Sequence, residues 1–411
     1  MPDLPHGTNF SRMTSPDDRS FDTRAATLLT AAHFATDFCQ GALPALLPAF
    51  VQRFGLSYAA AGSIILAANL SSSVLQPLFG ILADKRANAW IIPLGTALCA
   101  VGLAGVVVAP TFRWLIVAVA VLGVGVAAFH PDAVRYAGLV AGKRCTTGMS
   151  VFSVGGNAGF AAGPLVVVPM LTAFGARSVT WAAALILLFS FYVFATRETY
   201  AHHTRLLPDG ATRPVLGVDD WPSFSRLAAA VVLRSITFVG LTTFLPLYFV
   251  THFARSATQG ASALSTLLIA GTVGTLAGGA LADRFGRRTV VRAAFVVLVP
   301  LLAAFVAARS ATLAFALVMP VGFVLFLPFS ALVVMGQELL PNRTGTASGV
   351  TVGLAVTVGG IAAPLLGALA DRFGLANTLW AVVALPLGSA WLIHALPERG
   401  RARVLPPLQP A

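Results

Sequence analysis

Midway along the run Arg24 to Val51, RAATLLTAAHFATDFCQGALPALLPAFV, stands a carboxylate, Asp37, in a stretch long and apolar enough to cross a bilayer as a helix. The 13 residues from Arg24, at about 1.5 Å each, place it ~20 Å into a hydrocarbon layer ~30 Å thick. A charge there costs at least ~2.5 to 3.5 kcal/mol, so it needs a partner, a water-filled cavity or a proton. Each of these is a mechanism; the plainer alternative is a buried Asp hydrogen-bonded for packing. His33 lies one helical turn earlier, placed to tune or relay a proton, although a histidine on an apolar helix is often simply a satisfied core residue. Phe129-His130-Pro131-Asp132-Ala133-Val134-Arg135 brings four further polar or kinking residues into another apolar run, and Arg234 sits inside a third. A guanidinium fork suits a phosphonate or carboxylate because it donates two parallel hydrogen bonds. Near a helix end Arg135 could instead snorkel as an anchor. Gln40, Asn69, Gln76, Asn157 and Gln337 are hydrogen-bonding neighbours of lower rank, and Glu338 before Pro341 is equally a solvated cap or a coupling group.

Positioning these groups takes an unusually apolar chain. Of 411 residues 57% are hydrophobic and 10% charged, with a mean hydropathy of +0.83, where a soluble protein is about 25% charged. This predicts an all-α integral membrane protein. Twelve apolar runs stand out, at 24–51, 57–83, 90–110, 113–140, 146–173, 178–197, 226–252, 258–282, 289–308, 311–337, 343–370 and 376–396. They are about twice the length a barrel strand needs and do not alternate. With a cytoplasmic N-terminus the inner segments hold 19 Lys and Arg against 6 in the outer loops, which places both termini inside. The net charge of +12 is spread through short loops, where it orients helices; no aromatic and basic surface for nucleic acid is visible. Residues 1–23 read as a disordered cytoplasmic tail rather than a signal peptide, 198–225 as a central cytoplasmic linker between helix sets 24–197 and 226–396, and 397–411 as a second tail. Cys39, Cys99 and Cys145 lack metal-ligand spacing and read as packing residues, and Walker spacing is absent, so neither metal nor cofactor is expected.

The two halves repeat. GILAD at Gly80 to Asp84 recurs as GALAD at Gly279 to Asp283, an offset of 199, and Gly159-x3-Gly163-Pro164 recurs as Gly359-x3-Ala363-Pro364, an offset of 200. Two words at nearly one offset argue for a duplicated six-helix unit, a common transporter plan. In the fifth run Gly155, Gly159 and Gly163 fall on one helix face, where small residues let helices approach, and Pro164 invites a bend.

The segment GGALADRFGRR, with Gly279, Asp283, Arg284, Gly286, Arg287 and Arg288, resembles the cytoplasmic loop signature of the major facilitator superfamily; the first-half copy keeps Gly80 and Asp84 but has Lys85 for Arg and Ala87 for the turn Gly. The resemblance implies two six-helix bundles, with Asp84 and Asp283 as conformational latches, against a plainer reading as loop anchors. A third similar word, GALADRFG from Gly367 to Gly374, falls on the outer side of this topology, so spelling alone does not make a cytoplasmic latch. The Gly155 to Pro164 word resembles the motif of the superfamily's exporters, although Val119 stands where exporters often carry Arg. More specifically, HFATDFCQGALPALLP, SSSVLQPLFG, FHPDAVRYAG, GMSVFSVGGNAGFAAGP, LRSITFVGLTTFLPLY and GQELLPNRTGTASG, spread over both halves, resemble the fosmidomycin-resistance type exporters. That resemblance implies a drug exporter driven by protons, with a phosphonate antibiotic as the name-giving substrate; a monomeric, multi-pass protein of the bacterial inner membrane carrying a small, anionic antibiotic or metabolite is expected. Spans one, four and seven line the central cavity in the superfamily, which would set Asp37, His130, Asp132 and Arg135 against Arg234 and Tyr248. Import of a sugar or organic acid is the alternative within the fold. A membrane enzyme or receptor would need a nucleophile cluster, metal site or soluble domain not seen here.

Overall fold

The computed structural model describes residues 21–85, 88–142, 145–203, 218–343, 346–347 and 349–396. Most of the expected tail 1–23, residues 397–411 and most of the central connection lie outside them. Twelve helices are long and apolar enough to span a membrane, and among the described residues there is no strand. Spans one to six are Thr23–Phe54, Tyr58–Lys85, Ile91–Val108, Phe112–Ala141, Cys145–Phe174 and Ala176–Ala195. Spans seven to nine are Trp221–Thr251, Ala257–Phe285 and Arg287–Val306; span ten runs Ala311–Leu339, span eleven Gly349–Phe373 and span twelve Leu375–His394. Large apolar side chains such as Leu185, Leu188 and Phe191 of span six stay exposed, as a lipid-facing surface requires.

Helix starts follow local chemistry. Asp22 accepts from the Ala25 amide to open span one, and Ser256 and Gln259 close a reciprocal capping box on span eight. The seventh span opens at Trp221 rather than 226, because Asp220 accepts from the Ser223 amide and Pro222 suits the first turn. The connection before it begins with a short helix, Glu198–Ala201, whose Tyr200 hydroxyl donates to the Ala89 carbonyl at 2.8 Å. Span ten is interrupted at Leu327 and Pro328, where proline withholds a backbone donor, and resumes as Phe329–Leu339. Span eleven includes a π-turn from Gly349 through Leu354, and ahead of it Pro341–Arg343 forms a separate 3₁₀ turn.

Span five lies along span one with its glycines inward. A Cβ on Gly155 would meet Thr30, one on Gly159 the Phe34 carbonyl, and one on Gly163 the Phe38 carbonyl. The helix runs unbroken through Pro164. The motif therefore presses span five onto the backbone that carries Asp37. Between the halves, span two packs on span eleven and span five on span eight, where the Ser265 hydroxyl donates to the Ala161 carbonyl at 2.8 Å.

Candidate functional site

Asp37 lies between two imidazoles. His33 Nε2 is 3.2 Å from its Oδ2 and His130 Nε2 is 3.5 Å from its Oδ1. The other nitrogen of each ring faces a backbone carbonyl, Phe152 O at 2.9 Å for His33 and Val126 O at 2.9 Å for His130. A carbonyl can only accept, so both Nδ1 atoms carry hydrogen, and in a neutral ring Nε2 offers a lone pair. A lone pair facing a carboxylate oxygen is repulsive; each contact becomes a hydrogen bond only when a proton lies within it. A proton shared in either contact would make it a hydrogen bond, and each ring is oriented by one backbone carbonyl. His33 also stacks on Phe152 at 4.1 Å and meets His130 edge-on at 5.3 Å. These side chains are largely buried, with 10%, 14% and 22% of His33, Asp37 and His130 exposed, so little water competes for their contacts.

Three spans assemble the cluster, and the third was not foreseen from the sequence. Span one supplies His33 and Asp37 at i and i+4, span four supplies His130, and span five supplies Gly156. A Cβ at Gly156 would collide with His33 Nε2 and lie 2.8 Å from Asp37 Oδ2. The signal was the doubled glycine Gly155-Gly156, of which only the first fits the four-residue spacing. By distance alone a metal ion could also be bridged here, the ligand-capable atoms lying within 4.8 Å of one another; Asp22, His202 and His203 form a second such group at the start of span one.

The remaining expected residues divide. Gln40 and Asn157 are half-buried, the first three residues beyond Asp37 and the second adjacent to Gly156. Asp132 is fully buried, but two positions from His130 it takes another face of span four. Its charge is felt at Tyr200, outside the membrane, where burial, Tyr136 and the Asp132 carboxylate push the phenol above its ordinary range. Arg135 is half-buried. Tyr248 is fully buried, its hydroxyl donates to the Val306 carbonyl at 3.4 Å, and its ring stacks on His252 at 4.6 Å. As a large apolar ring it packs with Phe253 and Phe305 in the core of the second half.

Arg234 is 8% exposed halfway along span seven. Its Nε donates to the Leu325 carbonyl at 3.2 Å and its guanidinium lies 5.3 Å from the Phe329 ring centroid, beside the interruption of span ten. Among the described residues no carboxylate pairs with it, which leaves a buried cation suited to an anionic ligand.

At the loop between spans eight and nine, Gly286 takes φ +88°, the left-handed region glycine favours, and Arg287 pairs with Glu338 of span ten. Arg288 donates to the carbonyls of Ile393 and His394. These arginines fasten the second half to itself. Asp283 and Arg284 are exposed, Arg284 over the Phe285 ring at 5.1 Å, and a Cβ on Gly279 or Gly80 would meet open space. The side chain of Asp84 lies outside the described residues.

The Major Facilitator Superfamily model matches residues 29–364. The chain is 32% identical over 365 residues to the MFS-type transporter YfnC of Bacillus subtilis (strain 168), covering 86% of this chain and 88% of that protein. It is 29% identical over 378 residues to the fosmidomycin resistance protein of Escherichia coli (strain K12), covering 87% and 89%. Among solved structures, a bacterial homologue of the human lysosomal transporter Spinster, inward-facing and occupied, aligns with a TM-score of 0.75 at 14% identity, over 92% of this chain and 97% of that one. The nucleoside transporter NupG aligns with a TM-score of 0.74 at 16% identity, over 91% and 100%. With twelve spans and a match running through both halves, the chain belongs to the Major Facilitator Superfamily, a family of membrane transporters rather than enzymes.

Proposed function

We propose that the chain exports a small anionic solute in exchange for protons, by alternating access between its two six-helix halves. The observation that carries this reading is the Asp37 carboxylate held between two imidazoles whose other nitrogens are fixed by backbone carbonyls. A proton entering from outside joins the His33, Asp37 and His130 group and leaves on the inside. Arg234 takes the anion, with Arg135 opposing it from the first half and Gln40 and Asn157 as polar neighbours. Asp283 acts as a latch on the inner face, with Gly279, Gly286 and the paired arginines shaping its loop. The protein works as a monomer in the bacterial inner membrane with both termini in the cytoplasm, as the basic-residue count favours. Support for efflux of a phosphonate comes from the relative named for fosmidomycin resistance and from the glycine-proline word of span five.

The test uses everted vesicles and labelled fosmidomycin. An imposed proton gradient drives uptake into vesicles carrying the unchanged chain, whereas accumulation in intact cells would reverse the direction. Asp37→Asn abolishes gradient-driven uptake while substrate exchange persists; undiminished active transport in that variant removes Asp37 from coupling.

A further inference from the structure

The third copy of the loop word ends in Asp371, at the last turn of span eleven. Its two carboxylate oxygens accept from the amides of Tyr58 at 2.7 Å and Ala59 at 2.9 Å, the first two residues of span two in the opposite half. The first four amides of a helix lack intrahelical partners. In span two the third, Ala60, is met by the Ser57 hydroxyl and the fourth, Ala61, by the Ser57 carbonyl. Among the described residues the first two are met only from across the interface. A carboxylate on these amides also lies at the positive end of the helix dipole. Beside it a Cβ on Gly367 would strike the Tyr58 carbonyl, and one on Gly62 the Ala363 carbonyl at 2.5 Å, so the two helices touch backbone to backbone here.

The internal repeat supplies a control. By the offset of 200, span eleven corresponds to span five and span two to span eight. Position 371 then maps to Leu171, which carries no charge, and span eight caps itself through Ser256 and Gln259. One helix start is self-sufficient; its twin is completed by the other half. The contact lies where spans one and eleven end and span two begins, opposite the N-terminus.

We propose that Asp371 is the positioning residue of the outer gate: its carboxylate holds span two against span eleven while the inner side is open, and releases the two amides to water when the outer side opens. This rests on the alternating-access reading but on neither its coupling ion nor its direction. Full-length protein in nanodiscs, with Cys39, Cys99 and Cys145 changed to Ser, is spin-labelled at Arg113→Cys and Arg309→Cys, both exposed near the outer ends of opposite halves. Pulsed dipolar spectroscopy then reads the distance distribution without any substrate. Asp371→Asn is expected to raise the ratio of long to short distances roughly tenfold, or about 1.4 kcal/mol. Tyr58→Pro deletes one donor without touching the carboxylate, at a position where helices accept proline, and is expected to shift the ratio the same way. Ser256→Ala, which weakens only the self-made cap, leaves it unchanged at an unaltered melting temperature of the gate variants. An unmoved distribution in Asp371→Asn, a shift absent from Tyr58→Pro, or an equal shift in Ser256→Ala each overturns the assignment. A shift in protein that moves no fosmidomycin supports the gate and removes only the substrate reading.

Discussion

Two glycines one turn apart on span five separate functional from structural packing at the scale of single residues. Gly156 faces side chains: an added methyl would press on His33 and Asp37, which can rotate away. Gly156→Ala is therefore expected to fold, yet lose at least about tenfold in gradient-driven flux, since catalytic-scale geometry tolerates little displacement. Flux in vesicles beside the melting temperature checks this, and normal flux would show the cluster indifferent to its wall. Arg234 carries a second expectation. Charge-assisted hydrogen bonds contribute about 1.5 to 3 kcal/mol, so Arg234→Gln should weaken binding of an anionic solute about tenfold or more while a neutral analogue changes little. Equal losses for both, measured by titration calorimetry, would mean the guanidinium supports the fold rather than the ligand. Asp37 and Arg234 were legible in the sequence because a charge in an apolar run has no cheap explanation. Which face Tyr248 and Asp132 take was not legible, because residue type and span number do not say which way a side chain points.

Among elements, the pairing of spans one and five decides whether the His33, Asp37 and His130 cluster forms at all. Gly159 meets the Phe34 carbonyl directly, backbone against backbone, so Gly159→Ala cannot be relieved by a rotamer and the helices must part. Its expected cost is about 1 to 3 kcal/mol, whereas Gly80→Ala, facing open space in span two, should gain about 0.5 to 1 kcal/mol. Denaturation of the detergent-solubilised variants gives both signs at once; a harmless Gly159→Ala would contradict the close approach. Twelve spans were readable because lipid imposes length and hydropathy on every one. Their ends were less so, since they depend on caps. The Asp220 cap and Pro222 lengthened span seven, while the break at Leu327 and Pro328 was hidden inside a run of uniform hydropathy. The GALADRFG word at the end of span eleven was spelled out in the sequence, but only the packing of the halves revealed the amides it meets.

For the whole molecule, the two ends of the helices bear on one equilibrium. Span eight is 29 residues long, so its ends are separated by about 40 Å, and Asp283 near one end stands at the opposite side of the protein from the Asp371 contact. In this arrangement Asp371 is engaged across the halves while Asp283 is exposed. If Asp283 is the inner latch, it gains its partner only when the inner side closes and the outer side opens. Asp283→Asn should then favour the outer-closed state, lowering the long-to-short ratio of the Arg113 and Arg309 label pair, opposite in sign to Asp371→Asn. Groups so far apart with no shared partner act additively within about 0.3 to 0.5 kcal/mol. The double variant should accordingly return toward the unchanged distribution, and its gradient-driven flux should recover relative to either single change if each slowed the cycle by stabilising one end state. A double variant as open as Asp371→Asn alone would mean that Asp283 anchors its loop and takes no part in switching. The transport cycle would then be held by the outer contact on one side only.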